Sequence, residues 1–189
     1  IGHLLRVTGG TKSFYNDPHR AQGVQQVAIS AIKTNPNMAH MPVRVVPNLP
    51  NAYYNYDKGE IILGLVNPDA LAHELGHANN IKQDGLYSKV LSVSKGVSRL
   101  NNIAAIPTML ALRAFIQDPD RRDDILKTLA AVSAAVAAPG LLEEAVASAS
   151  ALRHSPDRLK AMKTLGPAFL AHAATSAAPA LTYQAGRLL

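Results

Sequence analysis

The sequence predicts a single α+β domain, residues 1–189, that is mostly helical. Strand-forming runs occur only in the first part, residues 1–85, whereas residues 86–189 consist of one helical pattern after another. A chain of 189 residues is long enough for one domain with a sizeable core. We therefore expect a small N-terminal β-hairpin or sheet, followed by a bundle of alanine-rich helices.

The elements of the first part are marked by their breakers and by side-chain spacing. A helix is expected after Asp17, and Asn35 ends it. Its apolar residues recur at helical spacing: Val24, Val27, Ala28, Ala31 and Ile32. The run Val43–Val46 lies between two prolines and predicts a short strand. Ala52–Leu65 consists of two β-prone runs joined by a turn in which Gly59 can adopt a positive φ, and it predicts a hairpin.

Longer helices are expected from here to the end of the chain. Asn67 can cap the first of them, with Pro68 at its first position and Asp69 near the positive end of the helix dipole. On the next helix, apolar residues at steps of four and three predict a stripe packed into the core: Leu86, Val90, Val93, Val97 and Leu100. Further helices are predicted at about 103–116, 121–138, 141–153 and 156–178, separated by proline or glycine.

Composition narrows the classes of function. The net charge is +6, but the basic residues are spread along the chain, aromatic residues make up only 5%, and tryptophan is absent. Nucleic-acid binding is therefore not expected, since it needs clustered cations with aromatic stacking. The chain has no cysteine, so a metal ion would have to be held by His, Asp or Glu, which suits zinc.

Three uncharged stretches raise the question of a membrane. Asn101–Leu112 and Thr128–Leu142 are shorter than the roughly 20 residues that span a bilayer, so we expect both to be buried helices. Thr164–Gly186 is long enough but contains two prolines and a histidine. It predicts a core helix broken at proline, with a transmembrane span as the alternative.

The strongest motif is HELGH, residues 73–77, early in the helix that begins at Asn67. Residues four apart lie on one helix face, so His73 and His77 can direct two imidazole nitrogens at one zinc ion. Glu74 can reach a water on the metal without being a ligand, and it is the natural general base for attack of that water on a peptide carbonyl. Gly76 leaves room for another chain segment behind the site.

A catalytic zinc ion needs a third protein ligand. The candidates are His154, His172, Glu143 and Glu144. The two glutamates are adjacent in an otherwise apolar segment, Leu141–Arg153, where a charge is unfavourable unless it is neutralised. A metal ion would neutralise one of them, or both could simply favour the dipole of a helix that begins after Gly140, and composition leaves these alternatives open.

HELGH together with EAVASASAL, residues 144–152, resembles the gluzincin branch of zinc metallopeptidases. In that branch a helix bearing Glu, three residues, and then Asp or Ser supplies the third ligand, and Glu144 with Ser148 fits this register better than Glu143. The likeness is closest to neutral zinc metallopeptidases with a Glu-x-x-Ala-Ser element and more distant to CAAX-prenyl-protease-like peptidases. The resemblance implies a zincin-like fold and zinc ligands His73, His77 and Glu144.

Families that this chain resembles often use a His or Tyr to bind the oxyanion. The resemblance therefore makes His154 a candidate, with a surface role as the alternative. Three tyrosines of the predicted hairpin are also candidates, with packing of the strands as the alternative: Tyr53, Tyr54 and Tyr56.

The resulting expectation is a zinc-dependent endopeptidase with Glu74 as general base. Its partner would be a peptide or protein substrate, held in extended form by main-chain pairing with an edge strand at Glu60–Leu65. The alternative is a non-catalytic structural or assembly component that retains a zinc site, such as a processed viral protein in a virion or a membrane-associated protein. The absence of an initial Met and the alanine-rich helices motivate this alternative.

Overall fold

The structure is a computed structural model. It describes residues 6–9, 18–46, 49, 51–64, 67–83 and 85–188. The described chain is mostly helical with one small sheet, as the sequence predicts. It divides into two compact units, the first formed by residues 1–84 and 143–169 and the second by residues 85–142 and 170–189. Glu144 thus belongs to the same unit as HELGH, although 66 or more residues separate them in the chain.

The sheet of the first unit has four strands within the described residues: β1 (Arg6–Gly9), β2 (Pro42–Val45), β3 (Ala52–Asn55) and β4 (Glu60–Leu63). Their spatial order is β1, β2, β4, β3, and only β3 is antiparallel to its neighbour. β3 and β4 form the predicted hairpin, and Gly59 in its turn has a φ of 61°. Leu65, the last residue of the predicted hairpin, lies outside the described residues.

Two helices of the first unit pack against this sheet: α1 (Pro18–Thr34) and α2 (Pro68–Gln83). α1 confirms the first predicted helix and ends before Asn35, which caps a short 3-10 helix, Pro36–Met38; Asp17 lies outside the described residues. α2 begins as predicted, because the side chain of Asn67 accepts a hydrogen bond from the N–H of Asp69 at 2.9 Å.

The core of the first unit lies between these helices and the sheet. Fully buried side chains come from both layers: Val27 of α1, Ile61 and Leu63 of β4, and Leu71 of α2. Ala151 and Ala161 from two later helices complete the cluster. This packing fixes α2 against the sheet and therefore fixes the orientation of the HELGH turn.

Three long helices follow: α3 (Gly85–Phe115), α4 (Pro119–His154) and α5 (Arg158–Leu188). Three predicted helix ends are wrong, because the helix continues through each of them: the ends near residue 101, at Pro139 with Gly140, and near Pro179. An internal proline removes one hydrogen bond and bends a helix, but good helix formers such as Ala and Leu on both sides allow the helix to resume.

The predicted burial of the later helices is also wrong in part. Val93 and Leu100 of the α3 stripe are 66% and 69% exposed, and the side chain of Leu86 lies outside the described residues. In the described chain, α4 is the one helix with the length and apolar composition needed to cross a bilayer, and only 22% of its most apolar stretch is buried. Periodicity identifies a shared helix face, but it does not identify what covers that face.

Candidate metal centre

α2 presents both histidines of HELGH on one face. The rings of His73 and His77 lie edge to face with their centroids 4.6 Å apart, and their Nε2 atoms are separated by 3.0 Å. The cap at Asn67 and the buried residues Leu71, Ala72 and Leu75 hold this helix turn against the core. The two nitrogens therefore converge because of the four-residue spacing and a firmly packed helix.

The carboxylate of Glu144 completes a group of three ligand atoms. Its oxygens lie 3.3 Å from Nε2 of His73 and 3.7 Å from Nε2 of His77. The three residues are the one group of potential metal ligands found in the described part of the chain, with their ligand atoms within 4.8 Å of one another. The structure thus brings together the three residues that the sequence predicts as ligands.

The spacing of these atoms fits a metal ion. Three ligands about 2.0–2.1 Å from one tetrahedral ion lie about 3.3 Å from each other. The two Nε2 atoms are 3.0 Å apart, Oε2 of Glu144 lies 3.3 Å from Nε2 of His73, and the other carboxylate oxygen, Oε1, lies 3.7 Å from Nε2 of His77, so each separation is close to that value. Two imidazoles and a carboxylate suit zinc, and they are also ligands for other divalent transition metals.

Gly76 allows α4 to come close to α2. A Cβ atom at this position would lie 2.8 Å from Cα of Ala147 and 2.9 Å from its carbonyl oxygen. Ala147 is itself fully buried. This close crossing places Glu144, one helical turn before Ala147, beside the histidines, and it confirms the prediction that Gly76 leaves room for another segment.

Glu143 orients His77 from the side opposite to Glu144. Nδ1–H of His77 donates to Oε1 of Glu143, and the hydroxyl of Tyr56 donates to the same oxygen at 2.9 Å. Burial opposes the charged imidazolium of His77, but the hydrogen bond and the charge of Glu143 outweigh burial, so the pKa of His77 is raised above 6.5. Burial and the charge of Glu143 also raise the pKa of Tyr56, so its hydroxyl stays protonated and remains a donor.

His73 has its own contact behind the ligand nitrogen. Its Nδ1 lies 3.5 Å from the hydroxyl oxygen of Ser148, at the outer limit of a hydrogen bond. Ser148 is the residue that follows Glu144 by four in the sequence, and it therefore lies on the same face of α4. Both histidines thus have a polar neighbour on the nitrogen that faces away from Glu144, which is typical of histidines that bind metals.

Glu74 lies one residue after the first histidine, and its side chain is nearly completely buried. Burial raises the pKa of Glu74, whereas the charges of His77 and His73 and a hydrogen bond from the main-chain N–H of Tyr54 act in the opposite direction and only partly offset it. The bond to Tyr54 ties the carboxylate of Glu74 to strand β3. A buried carboxylate with a raised pKa is suited to accept and return a proton.

The structure also places other residues that the sequence makes candidates. His154 bonds to Ser30 through Nδ1 at 2.9 Å and is not in the ligand group. His172 belongs to the second unit. Tyr54 is buried in the core, whereas Tyr53 is exposed.

The expected substrate strand is placed differently from the prediction. β4 lies between β2 and β3, so its main-chain groups pair on both sides and the edge-strand prediction for Glu60–Leu65 is wrong. Among the described strands, β3 is the edge on that side of the sheet. Sequence reasoning could not order the strands because strand order depends on long-range pairing.

Sequence reasoning also missed Glu143 as the partner of His77 and Tyr56 as the partner of Glu143. One signal was present: two adjacent glutamates in an apolar helix, of which a metal ion would neutralise only one. The second buried carboxylate would then need a protein partner to hydrogen-bond it.

Comparison of the chain with models of protein families, with curated proteins and with solved structures finds no significant match. The resemblance to gluzincins therefore rests on HELGH, on Glu144 and on the position of Ser148.

Proposed function

We propose that the first unit is a zincin-like metallopeptidase of gluzincin type, in which His73, His77 and Glu144 hold zinc. The observation that carries this proposal is a buried carboxylate, Glu74, which lies between the two histidines of a convergent group of three potential metal ligands. A zinc ion held there would supply a Lewis acid that polarises a water molecule and the scissile carbonyl. A purely structural site has no need of a buried proton acceptor at this position.

Glu74 is the proton carrier in this proposal. Its carboxylate is anchored by the N–H of Tyr54, and burial brings its pKa closer to neutral pH than that of an exposed glutamate. It would take a proton from the attacking water and deliver that proton to the leaving amine. A group of this kind contributes about 10²–10⁴-fold to the rate.

Strand β3 is the proposed binding edge for an extended peptide. The N–H of Gly64 donates to the carbonyl of Asn51 at 3.0 Å, which makes these two residues a hydrogen-bonded pair of the hairpin. Because such pairs alternate along an antiparallel ladder, Tyr54 directs its main-chain groups away from β4. Its N–H reaches Glu74, and its carbonyl on the same side is suited to accept a hydrogen bond from a substrate N–H.

The test is a comparison of Glu74→Gln with the parent chain. Zinc content is measured by elemental analysis, and cleavage is measured on unfolded casein as a general peptidase substrate. We expect one zinc ion per chain in both proteins and a loss of cleavage of about 10²-fold or more in the variant. Glu60→Gln is the matched control, because Glu60 pairs with Arg44 outside the ligand group and its change should affect neither measurement.

Two results would contradict the proposal. A parent chain without zinc, even after incubation with the ion, would reject the metal site. Equal cleavage by the parent and Glu74→Gln, or zinc without cleavage in the parent, would reject the peptidase and favour the structural alternative.

A further inference from the structure

The second unit has small and polar side chains between its helices. Asn101 donates to the hydroxyl of Ser133 at 2.7 Å, and Ser94 donates to the carbonyl of Val136 at 2.6 Å. Ala105 and Ala130 are buried, together with Leu126 and Tyr183. Contacts through small residues and hydrogen bonds between helices are typical of helices that associate within a membrane.

The outer surface of the same unit is strongly apolar. The exposed large side chains come from all three helical segments: Leu100, Ile103, Ile106 and Leu110 of α3, Val132 of α4, and Leu170 and Leu181 of α5. Ile103 is 76% exposed. So many large apolar side chains on one small unit are unfavourable in water, because each of them would be stabilised by burial.

These seven exposed residues lie in stretches without Asp, Glu, Lys or Arg, whereas the exposed Val90, Val93 and Val97 lie before them, among charged residues. These stretches are Leu100–Leu112, Thr128–Leu142 and Leu170–Gly186. At about 1.5 Å per residue they extend roughly 20, 23 and 26 Å. In α4, the ammonium of Lys127 can extend towards the surface, which lengthens the apolar stretch to Ile125–Leu142, or roughly 27 Å. The hydrocarbon core of a bilayer is about 30 Å thick.

Charged side chains lie beyond these stretches. Asp123 pairs with Arg187 at 2.5 Å and with Lys127 at 2.7 Å, which joins α4 and α5 at one end. Lys95 and Arg99 precede the uncharged stretch of α3 and line a pocket with His172. Charges that flank apolar helical stretches fit the headgroup regions on the two sides of a hydrocarbon layer.

We propose that the second unit inserts into a lipid bilayer through α4, the one described helix long and apolar enough to cross it, with the exposed residues of Leu100–Leu112, Thr128–Leu142 and Leu170–Gly186 in contact with lipid chains. The proposal requires neither the metal site nor peptidase activity. It accounts for both the apolar outer surface and the polar contacts between the helices, whereas a partner protein would account only for the first.

The full chain is synthesised in a cell-free system with vesicles of phosphatidylcholine and phosphatidylglycerol and then centrifuged through a flotation gradient. We expect the parent to float with the vesicles and to resist washing with high salt and alkaline carbonate. Ile103→Arg with Val132→Arg should reduce the floating fraction, because one arginine within the apolar layer lowers insertion about a hundredfold. The matched control, Ser92→Arg with Gln117→Arg, adds the same charge at exposed positions outside the uncharged stretches and should float like the parent.

A second measurement does not depend on the folding of the arginine variant. The chain has no cysteine, so Val132→Cys and Ser92→Cys each provide one thiol. In vesicles, a water-soluble maleimide should label Ser92→Cys and leave Val132→Cys unlabelled. Equal labelling of both, a parent that does not float, or a parent removed by salt or carbonate would overturn the proposal. A discrete dimer that forms without vesicles and does not float would show instead that a second copy covers the apolar face.

Discussion

Replacing Gly76 with alanine tests the crossing of α2 and α4 that assembles the candidate metal centre. The new methyl group would lie 2.8 Å from Cα of Ala147 and 3.2 Å from Cβ of Ser150, whereas ordinary contacts begin at 3.4 Å. The helices must therefore separate by about 0.6 Å, since a backbone atom cannot rotate away. Overpacking of this kind costs about 1–3 kcal/mol, against a gain of about 1 kcal/mol in helix propensity.

Gly96→Ala is the matched control, because no atom lies within 4 Å of the Cβ position of Gly96 inside α3. It should raise the free energy of unfolding by about 0.5–1 kcal/mol through helix propensity alone. The free energy of unfolding, measured by urea denaturation, should be about 1–3 kcal/mol lower in Gly76→Ala than in this control.

Zinc binding gives an independent measurement of the same crossing. Movement of α4 carries Glu144 away from the histidines, so Gly76→Ala should also weaken zinc affinity by about tenfold, as measured by competition with a chromogenic chelator. If Gly76→Ala were as stabilising as Gly96→Ala and bound zinc like the parent, the proposed close crossing would be refuted.

Three further predictions concern the surroundings of the site. Glu143→Gln should weaken zinc binding about 10–100-fold in the same chelator assay, because Glu143 orients His77. Because the pKa of His77 is raised, its proton competes with zinc up to a higher pH than the proton of an ordinary histidine. Zinc affinity measured from pH 8 to 5.5 should therefore fall as pH decreases. In Glu143→Gln this fall should start at a lower pH, because the partner that raises the pKa of His77 is lost. Asp157→Ala should lower the free energy of unfolding by about 1 kcal/mol without loss of zinc, because Asp157 caps α5 through the N–H of Lys160 at 3.0 Å.

The parts of the site that could be predicted are those encoded by local spacing. His73 and His77 are brought together by one turn of helix, and the start of that helix follows from Asn67 and Pro68. Glu144 was reached only through a family resemblance, since no local rule brings it next to residues about 70 positions earlier in the chain. The hydrogen bond from Tyr56 to Glu143 joins a β-turn region to a distant helix and has no local signal at all.

The later helices show a different limit of sequence reasoning. Their apolar periodicity predicts helices, which the structure confirms, but it also predicts a buried stripe, whereas Val93 and Leu100 are exposed. A buried helix and a lipid-facing helix share the same pattern, because water is excluded from both apolar faces. The proposal of a lipid-facing surface rests in part on the opposite surface, where Asn101 donates a hydrogen bond to Ser133 of another helix.

The adjacent pair Glu143 and Glu144 explains how a single helix can both complete a metal site and orient one of its ligands. Neighbouring residues on a helix point about 100° apart, so their carboxylates can approach one imidazole from two sides. Glu143 meets Nδ1 of His77, while Glu144 lies 3.7 Å from its Nε2. Exchanging their roles would require a rotation of α4, which would turn Ala147 away from the close crossing at Gly76. The position of Glu144 as the candidate third ligand is therefore a consequence of helix packing, and not of any chemical difference between two identical side chains.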